Sequence, residues 1–376
     1  NNGFDVIVTN PPYVKLQNIS EEYRGQLAIK YNKFIRGSFS LSMLFLIRGY
    51  ELLSNNGCFG LITQNNLFTS LAGKHIRKYL QEEKCISRII DFGHHKIFPK
   101  ENAYTCLLFL QKKKLSGFDF ETFAYEKKFT QEKLENSNLF YIENDLLDYR
   151  KWRLAKGVHL ENLNHIENVG LRLGEVAEIH VGFATLKDSV FLVSYKDNYC
   201  YPLDEENRDQ CIEVQITKPA IKISKINTQN DIQNNRLRII FPYEKMNSGY
   251  KIVEERDIKD KYPLAYDYLL SQKDKLELRD KGKKSYPKWY AWGRTQGMEA
   301  LGPKLLTKTF NRFPRFFFDK SNSLFCNGYS IKPKQPTLIK NEIPIEYIYI
   351  LLNSKIMHYY EKLSSFQIDG DYQGYQ

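Results

Sequence analysis

Apolar positions along the chain fall into two textures. Over residues 1–114, short apolar runs alternate with stretches of helical period, the pattern of alternating strands and helices. Phe4 to Thr9 reads as a strand, and the polar stretch 14–38 after it reads as irregular. Ser40 to Leu53 puts Leu41, Leu44, Phe45, Ile47 and Leu52 on overlapping apolar faces and is predicted to be a helix ended by Asn55-Asn56-Gly57. Cys58 to Thr63 reads as a buried strand and Ser70 to Leu80 as a basic amphipathic helix. Ile86 to Phe92 and Tyr104 to Leu110 are two more strands, and Lys112, Lys113 and Lys114 close the sheet region. This order predicts the second half of a doubly wound α/β sheet.

Residues 115–165 are charged and broken, with Trp152 as an apolar anchor, and read as the last elements of a first domain plus a connector. From Leu171 the segments become short and aromatic: Val176 to Gly182, Val190 to Ser194, Leu237 to Tyr243, Leu305 to Phe310 and Arg315 to Phe318. One helix, Pro263 to Leu270, interrupts them. A long apolar helix, Ile345 to Glu361, has Met and Tyr at helical spacing and reads as core. Two domains follow, 1–165 and 166–376, the second α+β with its own core.

A formal net charge of +11, from 55 Lys+Arg against 44 Asp+Glu, suits a polyanionic partner but equally a soluble basic protein. The aromatic content of 14% adds the stacking groups that single-stranded or extruded bases use. The six cysteines include no Cys-x-x-Cys pair, so reduced, buried thiols in a cytoplasmic protein are expected and a metal site is not. No apolar run reaches membrane-spanning length. The chain starts without Met in mid-pattern and is expected to be a fragment, cut at its C-terminal end as well.

Asn10-Pro11-Pro12-Tyr13, directly after the first strand, is the candidate chemistry. Two prolines fix φ and remove two donors, and Asn10, preceding a proline, is pushed to extended backbone. The Asn10 side-chain oxygen and the Pro11 carbonyl could then both accept from an –NH2 group. Asn is a poor base, so such a site would position and polarise rather than deprotonate. Tyr13 would offer a ring face. The same residues could equally end a strand in a proline turn with a surface tyrosine.

Taken in order, the motifs resemble the C-terminal part of a TaqI-like, γ-class N6-adenine DNA methyltransferase of the fused type IIG restriction–modification kind. The likeness is carried by Asn10-Pro11-Pro12-Tyr13, by "LSNNGCFGLITQNN" (Leu53 to Asn66) and by "RIIDFGHHKIFPKENAYTCLLFL" (Arg88 to Leu110). It continues through "LGEVAEIHVGFATLKDSVFLV" (Leu173 to Val193), "FPYE", "YPLAYDYLLSQKDKLELRD", "WYAWGRTQ", "PKLLTK" and "YILLNSKIMHYYEKLSS". The resemblance implies that residues 1–165 are a partial catalytic domain and 166–376 a target recognition domain. It implies that Asn10 and the Pro11 carbonyl hold the N6 of a flipped adenine, because N6 is paired inside a duplex. It further implies that Tyr13 stacks on the base and that Phe98 contacts it from another side, although Phe98 could simply be packed. S-adenosylmethionine is the implied cofactor. Its family motifs precede the Asn-Pro-Pro-Tyr element and are absent here, so Asn10 reaches only the methyl end and the fragment alone is expected to be inactive. No nuclease motif is found. His94 and His95 read as turn residues.

In the second half, Thr185, Lys187, Trp289, Trp292, Arg294, Lys308, Arg312 and Arg315 are candidate DNA contacts, since Arg can grip guanine and Lys can meet phosphate. Each could instead be an ordinary surface residue. The closing "FQIDGDYQGYQ" resembles a loop beside the DNA. The resemblance implies double-stranded DNA as the partner, with no membrane, and a monomer is expected. Two alternatives stay open: a DNA-binding specificity module without chemistry, and a protein-glutamine methyltransferase, whose amide substrate resembles an amine.

Overall fold

The computed structural model describes residues 3–35, 39–93, 97–98, 103–122, 138–282, 285–334, 343–368 and 372–374. The chain divides into two units: Asn1–Val169 with Tyr359–Gln376, and Gly170–His358. The last stretch thus returns to the first unit, where the sequence pattern assigns it to the second.

In the first unit, β1 (Phe4–Thr9) leads to α1 (Glu21–Lys30), α2 (Leu41–Glu51), β2 (Leu53–Gln64), α3 (Lys74–Glu83), β3 (Ile86–Asp91) and β4 (Thr105–Gln111). β5 (Gly117–Thr122), β6 (Asn138–Glu143) and α4 (Gly157–Asn168) follow. The strands form one sheet in the order β1-β2-β4-β3-β5-β6. β1 runs parallel to β2, and β3 parallel to β5. β4 is antiparallel to both β2 and β3, and β6 to β5, so the sheet is mixed. The sheet does not close at Lys112–Lys114: β5 and β6 extend it. The core gathers α2, α3 and the sheet around Leu46, Ile47, Phe59, Leu80, Ile89 and Leu108. Trp152 is the anchor expected of it: it is buried, stacks on Phe68 at 6.3 Å, and donates its main-chain N–H to Phe68 O at 2.9 Å.

Several local expectations change. The stretch 14–38 contains α1, which buries no residue and so carries no apolar stripe to betray it. Ser20 caps it, with Glu21 and Glu22 in its first turn and Lys30 in its last, the charge order a helix dipole favours. Asn55-Asn56-Gly57 does not end α2; it lies within β2, where the pairing with β1 slips between Phe4 and Val6. A Cβ on Gly57 would stand 2.7 Å from Phe4 O, so glycine serves close approach there rather than a helix cap. α3 begins at Lys74, not Ser70, and the Ser70 carbonyl accepts from the Arg77 side chain at 2.9 Å.

The second unit has two larger sheets and a hairpin. β7 (Ala177–Val181), β8 (Leu192–Lys196), β9 (Tyr199–Pro202), β10 (Ile212–Glu213), β11 (Thr217–Lys222) and β12 (Leu237–Ile240) are followed by the hairpin β13 (Tyr243–Lys245) and β14 (Tyr250–Ile252). Then come α5 (Pro263–Ser271), α6 (Lys273–Glu277), β15 (Lys304–Lys308), β16 (Phe310–Asn311), β17 (Phe316–Asp319), β18 (Leu324–Cys326) and β19 (Gly328–Pro333). One sheet has the order β10-β9-β8-β12-β11-β18 and the other β17-β15-β19-β7. Val190 and Phe191 end a short helix, Asp188–Phe191, rather than opening a strand. Pro263–Leu270 is not the only helical interruption: Gln229–Gln233, Glu255–Lys261 and α6 are helical as well.

The long last helix is two, α7 (Ile345–Leu352) and α8 (Lys355–Ser364). Asn353 breaks it: its Oδ1 accepts the Phe316 N–H at 3.0 Å and its Nδ2 donates to Phe316 O at 3.2 Å, pairing with β17 as a strand would. Nor is the stretch all core, since Tyr347, Ile350 and Ile356 are exposed. In the first unit, Glu167 of α4 takes both Arg153 and the Tyr360 hydroxyl, and His159 Nδ1 lies 2.8 Å from the Tyr359 hydroxyl. The final segment is not simply a loop: Phe366–Ile368 and Tyr372–Gly374 pair antiparallel, while residues 369–371 and 375–376 lie outside the described residues. No described helix is long and apolar enough to cross a membrane.

Candidate functional site

Parallel pairing puts the carboxyl ends of β1, β2 and β3 on one edge of the first sheet, with the start of antiparallel β4 beside them. Ligands of open α/β sheets bind beyond such an edge. Asn10-Pro11-Pro12-Tyr13 leaves β1 at this edge. Pro11 is buried, while Asn10 and Pro12 are exposed. The chain beyond is pinned by the Leu41 N–H to Val14 O at 2.8 Å and the Leu16 N–H to Phe39 O at 2.9 Å. The corner therefore holds a fixed course with its asparagine facing out.

Tyr13 is half-buried. Its hydroxyl is enclosed without a hydrogen-bond partner, and burial, with the Cys106 thiol nearby, pushes its pKa up to about 12. Cys106 on β4 is itself fully buried and its thiol is pushed well above the usual range. The phenol therefore points inward and stays neutral at any ordinary pH.

A polar pair that sequence reasoning missed stands on the same edge. Asn65 Nδ2 donates to Asp91 Oδ1 at 3.0 Å and to Gly93 O at 2.8 Å, and the Gly93 N–H donates to Asp91 Oδ1 at 3.0 Å. This ties the end of β2 to the end of β3 just before the segment carrying Phe98. An Asn after one strand and an Asp closing another are the visible signals, but only the sheet order brings them together. Phe98 is half-buried; His94 and His95 lie outside the described residues.

The structure separates the eight candidate DNA contacts of the second unit. Thr185 is 0% exposed and Trp292 2%, so neither side chain faces solvent. Thr185 Oγ1 donates to Asp188 Oδ1 at 2.7 Å, and Trp292 packs against Phe183 and Phe241 with its indole N–H on Ile240 O at 3.1 Å. Both are corrected to core roles, because a loop of alternating aromatics turns its tryptophan into the β12 side of the core. Trp289 is half-buried and its indole N–H meets Glu255 Oε1 at 3.3 Å. Lys187 is half-buried and Arg294 exposed, on two loops joined by the Arg294 N–H to Ala184 O at 2.9 Å. Lys308, Arg312 and Arg315 belong to a different place. Lys308 Nζ donates to Asn227 Oδ1 at 2.9 Å and Arg315 Nη1 to Asn227 O at 3.4 Å. Burial, and secondarily Arg315, lowers the Lys308 pKa. Arg312 is exposed. Past Arg294, residues 295–300 form one wall of a cleft of about 450 Å³ that Glu178, His180, Tyr250 and Lys332 also line. His180 Nε2 lies 3.2 Å from Glu178 Oε2 there.

Residues 1–98 match the family of the Eco57I restriction-modification methylase. The chain is similar to the type II restriction enzyme and methyltransferase RM.Eco57I of Escherichia coli, 26% identical over 96% of this chain and 38% of that protein. It is also similar to the type II methyltransferase M.BanIII of Aneurinibacillus aneurinilyticus, 24% identical over 88% of this chain and 61% of that protein. The chain thus spans 38% and 61% of these relatives' lengths. Its fold resembles that of the type IIL restriction-modification enzyme MmeI, solved in complex with DNA, with a TM-score of 0.62 and 12% identity over 99% of this chain and 45% of that one.

Proposed function

We propose that this chain is the amine-holding and DNA-reading part of a site-specific N6-adenine DNA methyltransferase, TaqI-like, γ-class and type IIG, in a restriction–modification system. The observation that carries the reading is the exposed Asn10 on a proline-fixed corner, at the sheet edge where parallel strands end. The similarity to type II methyltransferases supports it. Residues 1–169 with 359–376 would supply the partial catalytic domain and 170–358 the recognition domain, acting as a monomer on double-stranded DNA.

In this reading an adenine flips out, since N6 cannot be reached inside the duplex. The Asn10 side-chain oxygen and the Pro11 carbonyl accept its two N6 hydrogens, and the nitrogen lone pair is left facing outward. Asn10 orients the amine and does not keep a proton. The Tyr13 ring lies against the base, its enclosed phenol turned away from the chemistry, and Phe98 closes the other side. S-adenosylmethionine, when bound, supplies an electrophilic methyl group. The residues present fit only that end of it: the acidic residue of β1, Asp5, sits at the strand's start and accepts from Ser54 Oγ at 2.8 Å, out of reach of the corner.

The test is mass spectrometry of host DNA carrying the full-length gene. N6-methyladenine is expected, and Asn10→Ala should lower its rate of formation by about 100-fold or more with DNA binding retained. Methylated cytosine, a methylated glutamine amide in protein, or an unaffected Asn10→Ala enzyme would overturn the reading. Methyl transfer by the 376-residue chain alone would overturn its partial character.

A further inference from the structure

Arg279 is only 4% exposed and directs its guanidinium at main-chain oxygens. Its Nε donates to Leu276 O at 2.7 Å, Nη1 to Ala291 O at 2.6 Å and Thr185 O at 3.3 Å, and Nη2 to Trp289 O at 2.8 Å. The plane lies over the Tyr286 ring at 4.4 Å. Three segments therefore meet on one side chain: the end of α6 and the Trp289–Trp292 loop, both near it in sequence, and the distant loop after β7.

The two loops are also registered to each other. The Thr185 carbonyl accepts the Gly293 N–H at 3.1 Å, and the Ala184 carbonyl accepts the Arg294 N–H at 2.9 Å. Between Thr185 and Lys187, Leu186 sits at φ +61°, a conformation that costs a branched side chain energy and persists only where neighbours enforce it. A Cβ on Gly293 would lie 2.3 Å from Leu186 Cγ, so the facing loop leaves room for Leu186 only as glycine. At the outer end of this tip stand Lys187 and Arg294. Burial lowers the Arg279 pKa, yet the ordinary guanidinium range is so high that the group stays charged.

We propose that Arg279 is a positioning residue: through the carbonyls of Thr185, Trp289 and Ala291 it sets the two-loop tip that presents Lys187 and Arg294 to the bases and phosphates of a DNA site. This rests on the reading of the second unit as DNA-reading. Lysine cannot substitute, because one ammonium nitrogen has no fork to span three segments.

The test is a double-variant cycle in the full-length methyltransferase, with dissociation constants for cognate and unrelated duplexes measured at one salt concentration. Arg279→Lys is expected to weaken cognate binding by about 10-fold or more and unrelated-duplex binding by less than about 3-fold. Arg294→Ala, alone and combined with Lys187→Ala, should also weaken cognate binding, and Arg279→Lys should add little on top of the Lys187→Ala/Arg294→Ala pair, since it acts through those two residues. If Arg294→Ala changes neither duplex, the tip does not face DNA and the reading of this surface fails. If Arg294→Ala weakens binding while Arg279→Lys has no effect, or the losses of Arg279→Lys and the pair multiply, Arg279 does not position the tip. Should Arg279→Lys fail to yield folded protein, Arg279→Gln takes its place in the same cycle and the same outcomes decide, with Gly293→Ala, which must displace Leu186, as an independent perturbation of the tip.

Discussion

Arg77 in the first unit and Arg279 in the second are the same device put to different ends. Both are buried and both give their donors to carbonyls. Arg77 donates to Leu67 O at 2.5 Å, Ser70 O and Tyr149 O at 2.9 Å, and Arg150 O at 2.6 Å. Burial pushes its pKa down to about 10, partly offset by Asp148. Its partners flank the Phe68–Trp152 stack, so Arg77 closes a seam in the core between α3 and the chain beyond β6. Arg279 instead joins loops that end at solvent. A buried guanidinium can thus seal a fold or hold a surface in register, and what lies beyond its acceptors decides which. Lys304 makes a third case: its Nζ meets the Asp319 carboxylate at 2.9 Å, both side chains almost wholly buried.

Four measurements would break or sharpen this contrast. The largest effect is expected for Arg77→Met, which orphans four carbonyls and should cost about 3 kcal/mol or more in urea unfolding of the chain. Arg77→Lys should lose stability too but, unlike Arg279→Lys, show no dependence on Arg294 in DNA binding; such a dependence would erase the distinction between the two arginines. Next comes Lys304→Met, expected to cost about 3 kcal/mol by leaving a buried carboxylate unpaired, with most of the loss recovered when Asp319→Leu is added. A Lys304→Met chain as stable as the parent would mean that Asp319 is already solvated.

The smallest effect is at the corner. Tyr13→Phe removes a hydroxyl without a partner and should change stability by less than about 1 kcal/mol at neutral pH. Its signature lies at high pH. In the unfolded chain Tyr13 ionises near its ordinary value of 10.0, while in the fold it holds its proton to about 12. Between those values the folded state binds more protons, so its contribution to stability falls as pH rises, and Tyr13→Phe should remove that fall. An alkaline unfolding profile identical in both proteins would show that the phenol is not enclosed.

Elements set by neighbours along the chain are legible in the order of residues alone. β1, with the predicted bounds, has apolar side chains ended by two prolines; β3, β4 and the Pro263 helix also lie within a residue or two of their expected places. The Asn10–Tyr13 corner is legible for the same reason, since proline geometry acts on its immediate neighbours. What only the tertiary structure decided involves partners far apart in sequence. Asn353 splits a helix by pairing with Phe316, Thr185 and Trp292 turn from surface candidates into core, and Asn65 meets Asp91 across the sheet edge. Arg279 reaches Thr185, 94 positions away. Hydrogen bonds of this kind leave no period and no motif in the sequence, because one partner is often a main-chain N–H or C=O that every residue carries, as in Asn353 with Phe316 and Arg279 with Thr185.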